Sequence, residues 1–162
     1  MKSEILVLGL GSNVGDRDFY LREAIKSLEG IFGGSIARSP VNETEPWGVQ
    51  HSNPYLNQVL VFATDAEPEK ILKFTRDIER NLGREQKGDL SPRTLDVDIL
   101  YLGHRIVESE TLSIPHPSLQ KRRFVLQPLE DVLPDFIHPL LFRSQKELNR
   151  HPDLEAQGLK KR

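Results

Sequence analysis

Apolar positions along the chain recur with two periods, and the switches between them mark out the elements. Ile5-Leu6-Val7-Leu8-Gly9-Leu10 is an apolar run of strand length that ends at Gly11-Ser12-Asn13-Val14-Gly15-Asp16. A helical stripe follows in Phe19, Leu21, Ala24, Ile25 and Leu28, with Asp16 or Asp18 placed to cap its start and Gly30 near its end. Ser35 to Glu43 reads as a weak strand interrupted by Pro40, which predicts an edge or a bulge. Tyr55 to Thr64 is the clearest long strand, with Tyr55, Asn57, Val59, Val61 and Ala63 on one face. Pro68 opens a second helix through Ile71, Leu72, Phe74, Ile78 and Leu82, and Gly83 closes it. Another strand runs to Leu102, Arg105 to Glu108 form a short return strand, and Phe124 to Leu133 form a helix with Val125, Leu126, Leu129 and Val132 inward. From about Arg143 the chain turns polar and reads as a helix fragment that frays into a tail. The order strand, helix, strand, strand, helix, strand predicts an α+β sandwich of βαββαβ type. Its antiparallel sheet would carry helices on one face and the active-site cleft on the other. No repeat or linker is visible, so residues 1–162 are expected to form one domain.

One strand carries acids where a buried strand should carry none. In Pro92-Arg93-Thr94-Leu95-Asp96-Val97-Asp98-Ile99-Leu100-Tyr101-Leu102-Gly103, the residues Leu95, Val97 and Ile99 point one way, and Asp96 and Asp98 point the other. Their Cα atoms are roughly 6.6 Å apart. That spacing suits one shared cation or two divalent ions about 3.5–4 Å apart, and hard oxygen ligands favour Mg²⁺. Arg93 adds a planar fork suited to phosphate oxygens. On alternation alone the two acids also fit a half-solvated edge strand. Asn57 has an amide that can meet a donor and an acceptor at once, although it equally fits a strand-end cap. Trp47 lies in a turn-rich loop between Pro46 and Gly48, poorly placed to reach a core. The polar loop Gly83 to Ser91 looks like a lid, and Pro115 and Pro117 hold His116 in extended backbone a few residues before Arg122. The Gly-Ser-Asn turn lacks the Lys of a phosphate-binding loop and the spacing of a dinucleotide fingerprint, so it reads as a tight turn. The chain has no Cys, which excludes thiolate metal sites, disulfides and Cys nucleophiles. The first apolar run is too short for a signal or a membrane span, and a net charge of −2 argues against broad nucleic-acid or membrane binding. A cytoplasmic protein that handles small molecules is expected.

Pro92 to Ile99 with Leu102-Gly103, together with Gly11-Ser12-Asn13, Thr44 through Gly48, Tyr55-Leu56-Asn57, Pro115-His116-Pro117 through Arg122, Phe124 and Pro128-Leu129, resembles the 6-hydroxymethyl-7,8-dihydropterin pyrophosphokinase family. The match runs from about residue 4 to residue 135, with every block in order. The resemblance implies a ferredoxin-like fold and transfer of pyrophosphate from ATP to the pterin, with ATP as co-substrate and two Mg²⁺ on Asp96 and Asp98. It places Thr44, Glu45, Trp47, Tyr55, Asn57 and Phe124 around the pterin, and Glu79, Arg84, Arg93, Ile99, Ser113, His116 and Arg122 toward ATP. Asp96, Asp98, Arg84 and Arg93 would form the catalytic set, and a monomer is expected. On its own pattern Glu79 lies off the buried stripe of its helix and reads as surface. Two rivals share these features: a metal-dependent phosphohydrolase acting on a nucleotide, and a non-catalytic ferredoxin-like nucleic-acid module.

The chain departs from the family in the loop after Arg84. Where relatives carry a further Arg and an Arg-Trp pair, Gln86, Asp89 and Leu90 stand here, so Lys87 is the basic residue left between Arg84 and Arg93. Lys87 is therefore expected to contact a phosphate as a point charge, or else to remain solvated.

Overall fold

Alternation along each strand of the main sheet builds two unlike surfaces, and the helices sort themselves accordingly. The structure, a computed structural model, describes residues 3–44, 54–83, 94–151 and 159–162. In chain order the elements are β1 (Glu4–Ser12), α1 (Arg17–Phe32), β2 (Ala37–Arg38), β3 (Asn42–Thr44), β4 (Tyr55–Thr64), α2 (Pro68–Asn81), β5 (Asp96–Leu102), β6 (Val107–Glu108), β7 (Ser113–Ile114), α3 (Arg123–Val132), α4 (Gln145–Leu148) and β8 (Leu159–Lys161), with a 3-10 turn at Leu119–Lys121. The sheet runs β5-β1-β4-β3-β8, β2 also pairs with β4, and every pairing is antiparallel.

Leu6, Leu8 and Leu10 of β1, Leu56, Leu60 and Phe62 of β4, and Val97 and Ile99 of β5 share the face on which α1 and α2 pack. Helix α1 contributes Leu21, Ala24, Ile25 and Leu28, and α2 contributes Ile71 and Ile78. Phe32 joins the two helices to the sheet, with its ring 5.7 Å from Phe62 and 5.9 Å from Phe74. Each such side chain contributes about 1.5–3 kcal/mol when fully buried, so this layer is the main source of stability. Asp16 caps α1 by accepting the Phe19 N–H at 3.1 Å. Gly30 lies near the end of the helix, as expected, and the inward placement of Phe19 is corrected. The helix continues to Phe32 and stops at Gly33, and Phe19 is exposed because the buried stripe runs through Leu21 instead. Gly83 follows α2 with a φ of 100°, the left-handed conformation expected of a residue just past a helix end.

The opposite face is divided along the strands. Its first half, Val7, Val59, Val61, Leu100 and Tyr101, is covered by Leu119, by Leu126 and Leu129 of α3 and by Leu148 of α4. Val7 pairs with Tyr101 and Leu8 with Ile99, so Leu100 is an extra residue in β5, and this bulge turns both Leu100 and Tyr101 into that cluster. The second half, toward the Ser12 end of β1, is polar and glycine-lined. Helices therefore lie on both faces, with α3 and α4 occupying only the part that the polar half leaves.

Pro40 breaks the second strand into β2 and β3, as an edge or bulge was expected to. Ser39 spans the break, with its Oγ accepting the Val59 N–H at 2.8 Å and its carbonyl accepting Gln58 Nε2 at 2.9 Å. The helix fragment expected after about residue 143 is α4, where Ser144 and Glu147 form a reciprocal capping box, while the last residues, read as tail, add β8 to the outer edge of β3. Arg162 holds that end down, 3.1 Å from Asp18 and 3.8 Å from Glu43.

Candidate active site

Three strands meet in the polar half. Gly11 of β1 pairs with Asn57 of β4 on one side and with Asp96 of β5 on the other, and Gly9 pairs with Val59 and Asp98. Residues that face each other across an antiparallel sheet share a face, so Asn57, Gly11 and Asp96 form one row and Asp98 stands two residues along. A Cβ on Gly11 would meet Asn57 Oδ1 at 3.3 Å and Asp96 Cβ at 4.0 Å. The missing side chain therefore leaves a flat floor between the amide and the acid.

Asp96 and Asp98 are half-buried on that floor, while Leu95, Val97 and Ile99 lie in the core beneath. Among the described residues no group of three or more His, Cys, Asp or Glu could hold a metal ion. A cation bound here would take one or two carboxylates from the protein and complete its shell from phosphate oxygens and water, the donor set that Mg²⁺ favours. The residues present fit that ion.

Glu79 is only 2% exposed, and its Oε2 accepts the Val97 N–H at 2.8 Å. The surface reading of this residue is corrected: α2 packs against β5, and the carboxylate reaches the outer edge of that strand between the two acids. Ile99 shares the two-residue period of Val97, so its backbone also faces the outer edge of β5, and its side chain is sealed in the core. Anything Ile99 offers a nucleotide comes from its backbone.

Beyond that edge lies the ribbon of β6 and β7. Ser113 pairs with Glu108 there, and the His116 N–H donates to the Leu100 carbonyl at 3.0 Å, joining the segment to β5. His116 Nδ1 accepts the Ser118 N–H at 3.1 Å, which puts the ring proton on Nε2. Arg122 is exposed, with its guanidinium 5.8 Å from the ring centre of Phe124.

On the other side of the floor, Asn57 Nδ2 donates to Thr44 Oγ1 at 3.0 Å, and Tyr55 pairs with Thr44. Thr44, Tyr55, Asn57, Asp96 and Asp98 are thus gathered on neighbouring strands. Glu79, Ser113 and His116 flank β5, and Phe124 with Arg122 lie at the start of α3. Glu45, Trp47, Arg84, Lys87 and Arg93 lie outside the described residues. Sequence reasoning missed two contributors. Arg17 Nη1 donates to the Pro54 carbonyl at 2.7 Å and lies 3.5 Å from Glu43, fastening β3 to the start of β4. Asn42 pairs with Asn57 and is buried beside it. Neither stands out in the chain, because an Arg at a helix start and an Asn in a broken strand are ordinary residues there.

The arrangement sets two half-buried carboxylates beside the amide of Asn57, with basic and imidazole groups at one border. It suits transfer of a phosphorylated group from a metal-bound donor to an acceptor recognised by its hydrogen-bonding edge.

The family model described as 7,8-dihydro-6-hydroxymethylpterin-pyrophosphokinase matches residues 7–134. A protein of Porphyromonas gingivalis named 2-amino-4-hydroxy-6-hydroxymethyldihydropteridine pyrophosphokinase is 42% identical over 141 residues, which cover 83% of this chain and 94% of that protein. Proteins of the same name from Aquifex aeolicus and Bacillus subtilis are 38% and 37% identical, over 86% and 80% of this chain and 87% and 78% of their own. Among solved structures, the fold resembles wild-type Plasmodium falciparum HPPK-DHPS with a TM-score of 0.70 at 17% identity, over 91% of this chain and 44% of that longer one. That likeness supports the ferredoxin-like α+β architecture. The chain belongs to the 7,8-dihydro-6-hydroxymethylpterin-pyrophosphokinase family.

Proposed function

We infer that the chain transfers the β,γ-pyrophosphoryl group of ATP to the hydroxymethyl oxygen of 6-hydroxymethyl-7,8-dihydropterin, giving the pterin diphosphate and AMP, a step of tetrahydrofolate biosynthesis. The observation that carries the reading is the row Asn57, Gly11, Asp96, which sets a pterin-type amide and a cation-binding acid on either side of a bare backbone. The acceptor oxygen attacks the β-phosphorus, the bond from that phosphorus to the oxygen bridging it to the α-phosphorus breaks, and AMP leaves with that oxygen. Two Mg²⁺ ions held by Asp96 and Asp98 would neutralise the triphosphate and lower the pKa of the attacking hydroxyl. The chain's own part is positioning. Asn57, Thr44, Tyr55 and Phe124, with Glu45 and Trp47, hold the pterin. His116 through Nε2, Ser113, Arg122, the backbone of Ile99, Arg84, Arg93 and Lys87 face the triphosphate and nucleotide. Glu79 holds the β5 backbone between the two acids. The working form is a cytoplasmic monomer, which sedimentation of the purified chain would check.

Incubation with Mg-ATP and the dihydropterin alcohol should yield AMP and pterin diphosphate in equal amounts. Release of AMP or ADP without a pterin product would overturn the reading. Asp96→Ala and Asp98→Ala should each lower turnover on the order of a thousandfold, several kcal/mol of barrier, with the fold intact. Near-native turnover in either variant at saturating Mg²⁺ would contradict the metal assignment. Asn57→Ala should weaken pterin binding by roughly 1–3 kcal/mol and leave ATP binding nearly unchanged, as measured by calorimetry.

A further inference from the structure

Asn42 is 1% exposed, and neither Oδ1 nor Nδ2 of its amide has a hydrogen-bond partner among the described residues. A buried amide left wholly unbonded is costly, and an apolar side chain of the same size would serve the packing better. The position gives the amide a direction. Asn42 of β3 pairs with Asn57 of β4, which pairs with Gly11, which pairs with Asp96, so the four residues form one line across four strands on the face of the cleft. Asn57 Nδ2 gives one of its two N–H groups to Thr44 Oγ1 at 3.0 Å. The 2-amino-4-oxo edge of a pterin alternates more donors and acceptors than the one remaining N–H and the Oδ1 of Asn57 can meet, and a second amide supplies a further donor–acceptor pair.

We propose that Asn42 is a second specificity-determining residue for the pterin, pairing with its donor–acceptor edge directly or through one bridging water beside Asn57. The inference rests on the pyrophosphokinase reading and adds a residue to its pterin site. An amide kept for a ligand differs from a structural one in a way that can be measured, because its removal does not weaken the ligand-free protein.

The test compares Asn42→Leu, which keeps the volume, with Asn42→Ser, which loses the amide pair in a smaller side chain. Both should raise the KM for the dihydropterin alcohol about tenfold, the effect of one hydrogen-bonded contact, and leave the KM for ATP within about twofold. The ligand-free Tm of Asn42→Leu should equal or exceed that of the native chain, while the Tm rise on adding the pterin alone shrinks. Should Asn42→Leu fail to fold, the pterin KM of Asn42→Ser decides. An unchanged pterin KM in a chain that turns over normally overturns this inference alone. A native chain that neither binds the pterin nor forms its diphosphate overturns the functional reading and this inference with it.

Discussion

At Gly11 an added methyl group would press on Asn57 Oδ1 at 3.3 Å, closer than side chains ordinarily approach, so the amide would have to move. Gly11→Ala should therefore raise the pterin KM about tenfold, equivalent to about 1.4 kcal/mol, and leave the Tm nearly unchanged. A pterin KM equal to the native value would mean that pterin binding does not depend on this floor. A different residue, Phe142, departs from its local backbone preference. Phe142 has a φ of 56° and is 80% exposed, so it bears a left-handed backbone with little packing in return. That conformation costs a side-chain-bearing residue about 1–2 kcal/mol, and the greater unfolded-state entropy of glycine offsets about 0.5–1 kcal/mol of any relief. Phe142→Gly should then stabilise the chain by up to about 1 kcal/mol in urea titration with turnover unaltered, and a loss of stability would reveal packing by the ring.

Between elements, the contact of α2 with β5 includes the Glu79–Val97 hydrogen bond as well as Ile71 and Ile78. Removing the carboxylate in Glu79→Ala takes this acceptor from the Val97 N–H, at a cost of about 1–3 kcal/mol. Glu79→Gln keeps an acceptor and should retain most of the stability. Amide hydrogen exchange at Val97 reports directly on this bond, and equal protection in the native and Ala proteins would refute it. This bond shows why part of the site was illegible in the chain. Asp96 and Asp98 announce themselves by interrupting an apolar alternation, whereas Glu79 sits at a position that the helical stripe leaves outside. It is buried because the edge of β5 lies beyond that stripe, a fact about packing rather than about periodicity.

For the molecule as a whole, the segment after α3 is fastened through two buried polar groups. The Tyr101 hydroxyl donates to Gln145 Oε1 at 3.1 Å, and burial pushes its ionisation well above the ordinary tyrosine range, so it stays neutral throughout the working pH range. His138 Nδ1 accepts the N–H groups of Leu140 and Leu141, both at 3.1 Å, and burial lowers the pKa of the ring below 6.5. The unfolded chain therefore binds the proton first as pH falls, and stability declines from about pH 6.5 down to the lowered native value. His138→Asn, which keeps an acceptor and does not titrate, should flatten that part of the stability curve. An identical pH profile in the variant would assign the slope to other groups. The sequence alone determined the main strands β1, β4 and β5, the two long helices, the outward pair Asp96 and Asp98 and the chemical type of Asn57, because period-two alternation and helical stripes are local properties of the chain. Tertiary structure decided the rest. Only strand pairing sets Gly11 between Asn57 and Asp96, aligns Asn42 with them, folds the polar C-terminal residues into β8 and divides one sheet face into a covered half and a cleft. Each depends on register between segments distant in sequence, which no local pattern encodes.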